Sequence, residues 1–155
     1  MNLRYIRSTT ADIDLLVKTR IATLRAANEL DLSVNLSEVE RQSREYYLHA
    51  LEDDIHTAYL VYDQDRIIAT GGISYYRVMP TYRNPTGKRA YIMNMYVDPE
   101  YRRNGIASHV LDLLIEDAQS RGINDIALEA TAVGKPLYLA RDFLPAESEM
   151  IFMGT

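Results

Sequence analysis

The sequence predicts a single α/β domain (α+β in how its strands are joined), built on a mixed sheet flanked by helices. Three observations carry this. The chain has 155 residues, the size of one domain with a core of its own. Segments of strand period and helix period alternate in the order β-α-α-β-β-β-α-β-α-β. A long apolar helical stripe follows a strand across a short polar turn near residue 100.

Each element has its local reason. Residues 3–7 alternate apolar and basic, as a half-buried strand does. Ser8, Thr9 and Thr10 offer capping oxygens to a helix over 11–27, whose stripe runs Ile13, Leu16, Val17, Arg20, Ile21 and Leu24. Residues 28–35 read as a loop. Ser37 and Glu40 have capping-box spacing and open a second helix that runs to about Leu51. Residues 57–62 and 67–76 form a hairpin about the turn Asp63-Gln64-Asp65-Arg66. Gly71-Gly72 inside its second strand points to a bulge or a close backbone approach. A loop with two prolines leads to a strand over 90–97, stopped by Asp98-Pro99. Ile106, Val110, Leu111, Leu114, Ile115 and Ala118 mark a helix over 105–121 that Gly122 ends. A strand over 125–130, a short helix over 135–141 and a last strand over 150–153 complete the chain.

Composition excludes several function classes. There is no cysteine, which removes disulfides, thiolate nucleophiles and cysteine-ligated metals, and fits a reducing compartment. His49, His56 and His109 share no metal-ligand spacing, so no metal is expected. No apolar run reaches the ~20 residues that span a bilayer, and Met1 to Tyr5 holds no signal-peptide segment, so the expected location is the cytoplasm, away from membranes. The net charge of −5 argues against nucleic acid as a partner and would attract a cationic one over long range.

The most informative stretch is Tyr96-Val97-Asp98-Pro99-Glu100-Tyr101-Arg102-Arg103-Asn104-Gly105-Ile106-Ala107. A helix that begins near Gly105 presents unpaired N–H groups and a partial positive charge, a ready site for a pyrophosphate. Gly105 lets a ligand approach the backbone, and Arg102 and Arg103 add charge. The stretch lacks the Gly-Lys-Ser/Thr ending of a Walker A loop and two of the three glycines of a dinucleotide fingerprint.

Arg102-Arg103-Asn104-Gly105-Ile106-Ala107 resembles the Arg/Gln-x-x-Gly-x-Gly/Ala signature of the GNAT superfamily of acetyl-CoA-dependent N-acetyltransferases, and the order of elements is similar over nearly the whole chain. The resemblance implies a mostly antiparallel sheet whose fourth and fifth strands splay around acetyl-CoA as co-substrate. It implies that the backbone of Met95, Tyr96 and Val97 pairs with the pantetheine arm. The amides of Arg103 to Ala107 would hold the pyrophosphate. Thr131 stands near where an asparagine often positions the arm.

A second resemblant segment is Leu137-Tyr138-Leu139-Ala140-Arg141-Asp142-Phe143, similar to the family's Leu-Tyr-x-x-x-Gly-Phe. It makes Tyr138 the general acid for the departing thiolate, with Asp142 in place of the usual glycine. No carboxylate lies on 90–97, where some relatives carry a glutamate base. Glu129 and a water chain oriented by Asn94 are the two candidates to take the proton of the amine. In this family the first two helices shape the acceptor pocket. Here they bring Asn28, Glu29, Asp31, Glu38, Glu45, Tyr46 and Tyr47, which suit a cationic small-molecule or peptide amine, and the loop Met79–Arg89 with Tyr82 borders the same site. The alternative to catalysis is a module that binds acetyl-CoA as a sensor or scaffold. The apolar segment Met150-Ile151-Phe152-Met153 suggests a homodimer.

Overall fold

The computed structural model describes residues 1–154; Thr155, the last residue of the expected domain, lies outside them. Five strands form one sheet in chain order: β1 (Leu3–Arg7), β2 (His56–Asp63), β3 (Arg66–Arg77), β4 (Lys88–Val97) and β5 (Ile126–Leu128). The first four are mutually antiparallel, and β5 joins β4 in parallel. The parallel pair needs a crossover, which α3 (Ile106–Ser120) supplies. Helices α1 (Ile13–Ala27) and α2 (Ser37–Glu52) precede the hairpin, and α4 (Lys135–Leu139) follows β5.

Strand alternation sorts the sheet into two faces. One packs on α3 through Val61, Ala69, Ile73 and Ile92 against Ile106, Val110, Leu111 and Leu114, all at most 2% exposed. Each such side chain contributes about 1.5–3 kcal/mol of burial. Gly71 explains the close fit: a Cβ there would lie 2.5 Å from Val110 Cγ1. The other face buries Ala58 and Leu60 under Leu16, Val17 and Tyr47 of α1 and α2.

Polar knots tie the layers. Asp117, on α3, accepts hydrogen bonds from Tyr75 Oη, Thr57 Oγ1 (2.7 Å), Arg7 (3.0 Å) and Arg121 (3.1 Å), which joins three strands to the helix. On the opposite face, buried His56 shares its Nδ1 with Tyr46 Oη (3.0 Å) and Ser74 Oγ (3.1 Å). Burial lowers the His56 imidazole from its ordinary 6.5 to about 4, so the ring is neutral.

Two sequence expectations are corrected. Met150–Met153 form no strand and stand 70–95% exposed, because no neighbouring edge pairs with them. Ser37 opens α2 without a capping box; Asn35 Oδ1 takes the Ser37 N–H instead, at 2.9 Å. The capping box forms one helix earlier, in the 3₁₀ turn Thr10–Asp12 before α1, where Thr9 N donates to Asp12 Oδ2 at 2.8 Å and Ala11 N to Thr9 Oγ1.

Candidate active site

The site begins with a defect in the sheet. β5 pairs with β4 only at Ala90↔Ile126, Tyr91↔Ala127 and Ile92↔Leu128; beyond that β4 continues for five residues without β5, still paired with β3. A bulge enforces the parting. Thr70 faces Tyr96 and Gly72 faces Met93, so two β4 residues, Asn94 and Met95, span the one position of Gly71. Asn94 takes the extra turn at φ 61°, in the left-handed region that asparagine tolerates better than most residues.

The parted strands open a cleft of about 1120 Å³. Its floor is Tyr91 to Val97 of β4. One wall is the loop and first turn of α3 from Arg102 through Ser108, and the opposite wall is one face of α1: Arg20, Thr23, Leu24 and Ala27. Glu129, Thr131, Gly134 and Tyr138 close the far side.

The α3 wall is an anion cradle in form. Asp98 Oδ1 caps the turn Pro99–Tyr101 through the Glu100 N–H (2.9 Å), and Asn104 Nδ2 braces the loop on the carbonyls of Tyr101 (2.9 Å) and Arg102 (3.2 Å). Arg103 and Gly105 both sit at positive φ, 64° and 75°, and turn the chain into the helix. The first helical bond back is His109 N–H to Gly105 O (3.1 Å), so the N–H groups of the first turn have no acceptor inside the helix. Arg103 lines this wall, and Arg102 folds back, its Nε on Val97 O (3.1 Å) and its guanidinium 5.8 Å from the Tyr96 ring. Asn104 is a brace for the cradle and not part of the cleft lining.

Tyr138 is 9% exposed, in contact with Phe143 at 5.9 Å between ring centroids. Burial raises its phenol, which keeps the proton on at neutral pH. Asp142 does what a glycine would do: at φ 66° it ends α4 in a left-handed turn, with Phe143 N–H on Tyr138 O (3.1 Å) and Asp142 N–H on Leu139 O (3.2 Å). Thr131 Oγ1 accepts the Gly134 N–H (3.1 Å) and fixes the turn before Tyr138.

The structure thus brings Met95, Tyr96, Val97, Arg102, Arg103, Gly105, Ile106, Ala107, Thr131, Glu129, Asn94 and Tyr138 to one cleft. It separates from that cleft every acidic acceptor residue expected on the first two helices and their loop. Glu38 and Glu45 bind Arg41 on the outer face of α2, and Asp31 shapes its own loop. Tyr46 and Tyr47 pack about His56, and Tyr82 is 99% exposed on a loop that borders no part of the cleft. The residue that sequence reasoning passed over is Arg20. The signal for it was a charge in the middle of an apolar helical stripe.

A sheet that parts over the N-terminus of its crossover helix defines a class: an α/β domain that lays an extended, phosphate-bearing ligand into the seam between two strands. The chain belongs to the acetyltransferase (GNAT) family, whose model matches residues 24–143. Among solved structures it is similar to a predicted acetyltransferase with acetyl-CoA from Clostridium acetobutylicum, at 30% identity over 98% of this chain and 96% of that one, with a TM-score of 0.89. A GCN5-related N-acetyltransferase from Ralstonia eutropha JMP134 is 25% identical over 98% and 99%, with a TM-score of 0.83. Glucosamine-6-phosphate N-acetyltransferase from Arabidopsis thaliana shares the fold, at 15% identity over 99% of both chains and a TM-score of 0.70. Comparison with curated protein sequences finds no match.

Proposed function

We propose that this acetyltransferase moves the acetyl group of acetyl-CoA to a primary amine of a small molecule or peptide, by direct attack and with Tyr138 as the general acid. One observation supports the reading above the others: the seam past Ile92 and Leu128 runs from the Tyr138 side to the unpaired N–H groups at the start of α3. Acetyl-CoA supplies an activated thioester on a long arm that ends in phosphates, and the seam ends on the unpaired N–H groups at the start of α3. The neutral amine forms the new C–N bond to the acetyl carbon. The backbone N–H near Val97 faces the oxyanion that develops. As the C–S bond breaks, the sulfur takes a proton from the Tyr138 phenol. The amine's own proton leaves through Glu129 or through water held by Asn94. No cysteine exists to form an acyl intermediate. The same lack of cysteine supports the reducing cytoplasm as its place of work.

The test is release of coenzyme A thiol from acetyl-CoA across a panel of amino acids, amino acid amides, polyamines, peptides, glucosamine and glucosamine 6-phosphate. Tyr138→Phe should lower turnover by roughly 10²-fold or more, with acetyl-CoA binding kept. Amine-dependent release that is unchanged in Tyr138→Phe would remove the general-acid role. Acetyl-CoA binding without release for any amine would favour the sensor module.

A further inference from the structure

We infer that Arg20 is the anion-binding residue of the acceptor site, and that the amine acetylated here carries a carboxylate or phosphate group of its own. The inference rests on the acetyl-transfer reading above and names its substrate class.

Arg20 occupies a position of α1 that the helix otherwise fills with apolar side chains: Ile13, Leu16, Val17, Ile21 and Leu24. A half-buried guanidinium there costs desolvation unless something ionic compensates it. Among the described residues nothing does. The chain has 22 carboxylate side chains, and Arg7, Arg41, Arg44, Arg66, Arg89, Arg121 and Arg141 each hold one within 4 Å. Arg20 holds none. Its side-chain hydrogen bond goes from Nη1 to Asn94 Oδ1 at 3.1 Å, a neutral amide that leaves the positive charge uncompensated. A guanidinium offers five donors in a planar fork, a geometry matched to carboxylate and phosphate oxygens.

The place of this charge separates it from the pyrophosphate cradle. Arg20 meets β4 at the bulge residue Asn94, three residues before Val97, roughly 10 Å up the strand from the end where the Arg102–Ala107 loop begins. It lies on the α1 wall of the cleft, across from α3. A coenzyme laid along the seam with its phosphates on α3 leaves Arg20 on the side from which the acceptor arrives. Asn94 holds the guanidinium there from a backbone at positive φ, a conformation the bulge imposes.

The cleft also contains Glu129, and no ion pair joins it to Arg20 within 4 Å. One wall therefore presents a cation and the far side an anion, each without the other. A molecule with an ammonium and an anionic group satisfies both. An amine with no anionic group leaves Arg20 desolvated and unpaired, which penalises it. The chain's net negative charge suggested a simple cationic acceptor; the residues that line the cleft favour a zwitterion.

The test uses the full chain loaded with coenzyme A. Calorimetric titration compares each α-amino acid with its amide, and an amino sugar phosphate with the unphosphorylated sugar; thiol release from acetyl-CoA is followed in parallel. At least one anionic amine should bind about tenfold or more tightly than its neutral counterpart. Arg20→Gln should erase that preference while coenzyme A affinity stays within about twofold, and Arg20→Lys should restore part of it. A preference among the amino acids assigns a carboxylate acceptor, and one among the sugars a phosphate acceptor. Equal binding of acids and amides, no binding of any anionic amine, or a preference that survives Arg20→Gln overturns the inference. An anionic amine that binds through Arg20 but releases no thiol keeps the anion site and refutes the acetyl-transfer reading instead.

Discussion

Acidification should destabilise this protein through one ring. His56 is 5% exposed, enclosed by Tyr46, Tyr47 and Ser74, and burial holds it neutral down to about pH 4 against an ordinary value of 6.5. As pH falls through 6.5 the unfolded chain binds a proton on this residue while the folded chain does not. Folded stability is therefore full above 6.5 and is lost as pH falls toward 4. Between pH 7.5 and pH 5.0 the linkage amounts to about 2 kcal/mol, a large part of a typical domain's margin. Three carboxylates shift the other way and do not enter this window: at Asp117 burial is outweighed by the hydrogen bonds of Tyr75 and Thr57 and by nearby arginines, and Asp112 and Glu38 are lowered chiefly by hydrogen bonds from Arg141 and Arg41. The assay is urea unfolding of wild type and His56→Gln at both pH values. The variant starts less stable, since it perturbs the Tyr46–Ser74 knot, but its own loss between the two pH values should be smaller by about 2 kcal/mol. Equal pH losses in the two proteins, to within ~0.5 kcal/mol, would refute the reasoning, because the acid sensitivity would then lie elsewhere.

Two packing predictions accompany it. Gly71→Ala drives a methyl into Val110 and to 2.6 Å from Met95 Sδ, and should cost about 1–3 kcal/mol, read as a fall in Tm of roughly 3–10 °C; an unchanged Tm would mean that α3 yields freely. Asp117→Ala strips Tyr75, Thr57, Arg7 and Arg121 of their shared acceptor, whose side chain is 8% exposed, and should cost about 3–5 kcal/mol in urea unfolding, whereas a loss below ~1 kcal/mol would show that the four donors find water instead.

Much of the fold was legible because its elements have strong periods. The stripe of α3 predicted Ile106, Val110, Leu111 and Leu114 as core, and all four are buried. Gly71-Gly72 pointed to a bulge or a close backbone approach; the register shifts there, with the extra residue on β4 at Asn94, and the close approach is of the Val110 and Met95 side chains to Gly71. The last strand failed because Met150–Met153 has the apolar composition of a strand, yet no free edge of the sheet takes it up; composition reports what a segment would do with a partner and says nothing of whether one is near. The capping box failed by a similar margin. Ser37 and Glu40 have the spacing, but Asn35, two residues earlier, already holds the Ser37 N–H.

The site divides along a different line. The α3 wall and the Tyr138 side of the cleft rest on two short segments, 94–107 and 131–143, so a local pattern can carry them, and the one departure from pattern resolves physically: Asp142 adopts the left-handed turn that a glycine would take. The α1 side of the cleft meets β4 across a long stretch of chain, and no local spacing records that Arg20 will meet Asn94, 74 residues away. Counting acidic residues on the first two helices does not describe the cleft, because charge summed along a helix mixes the outward face, where Glu38 and Glu45 pair with Arg41, with the inward face that lines the cleft. The better index was a single inconsistency, a guanidinium where the helix period demands an apolar side chain. An amphipathic helix gains by burying Leu or Ile at such a position, so a charged residue there is retained against the folding gradient, and among the described residues its one side-chain partner is the neutral amide of Asn94.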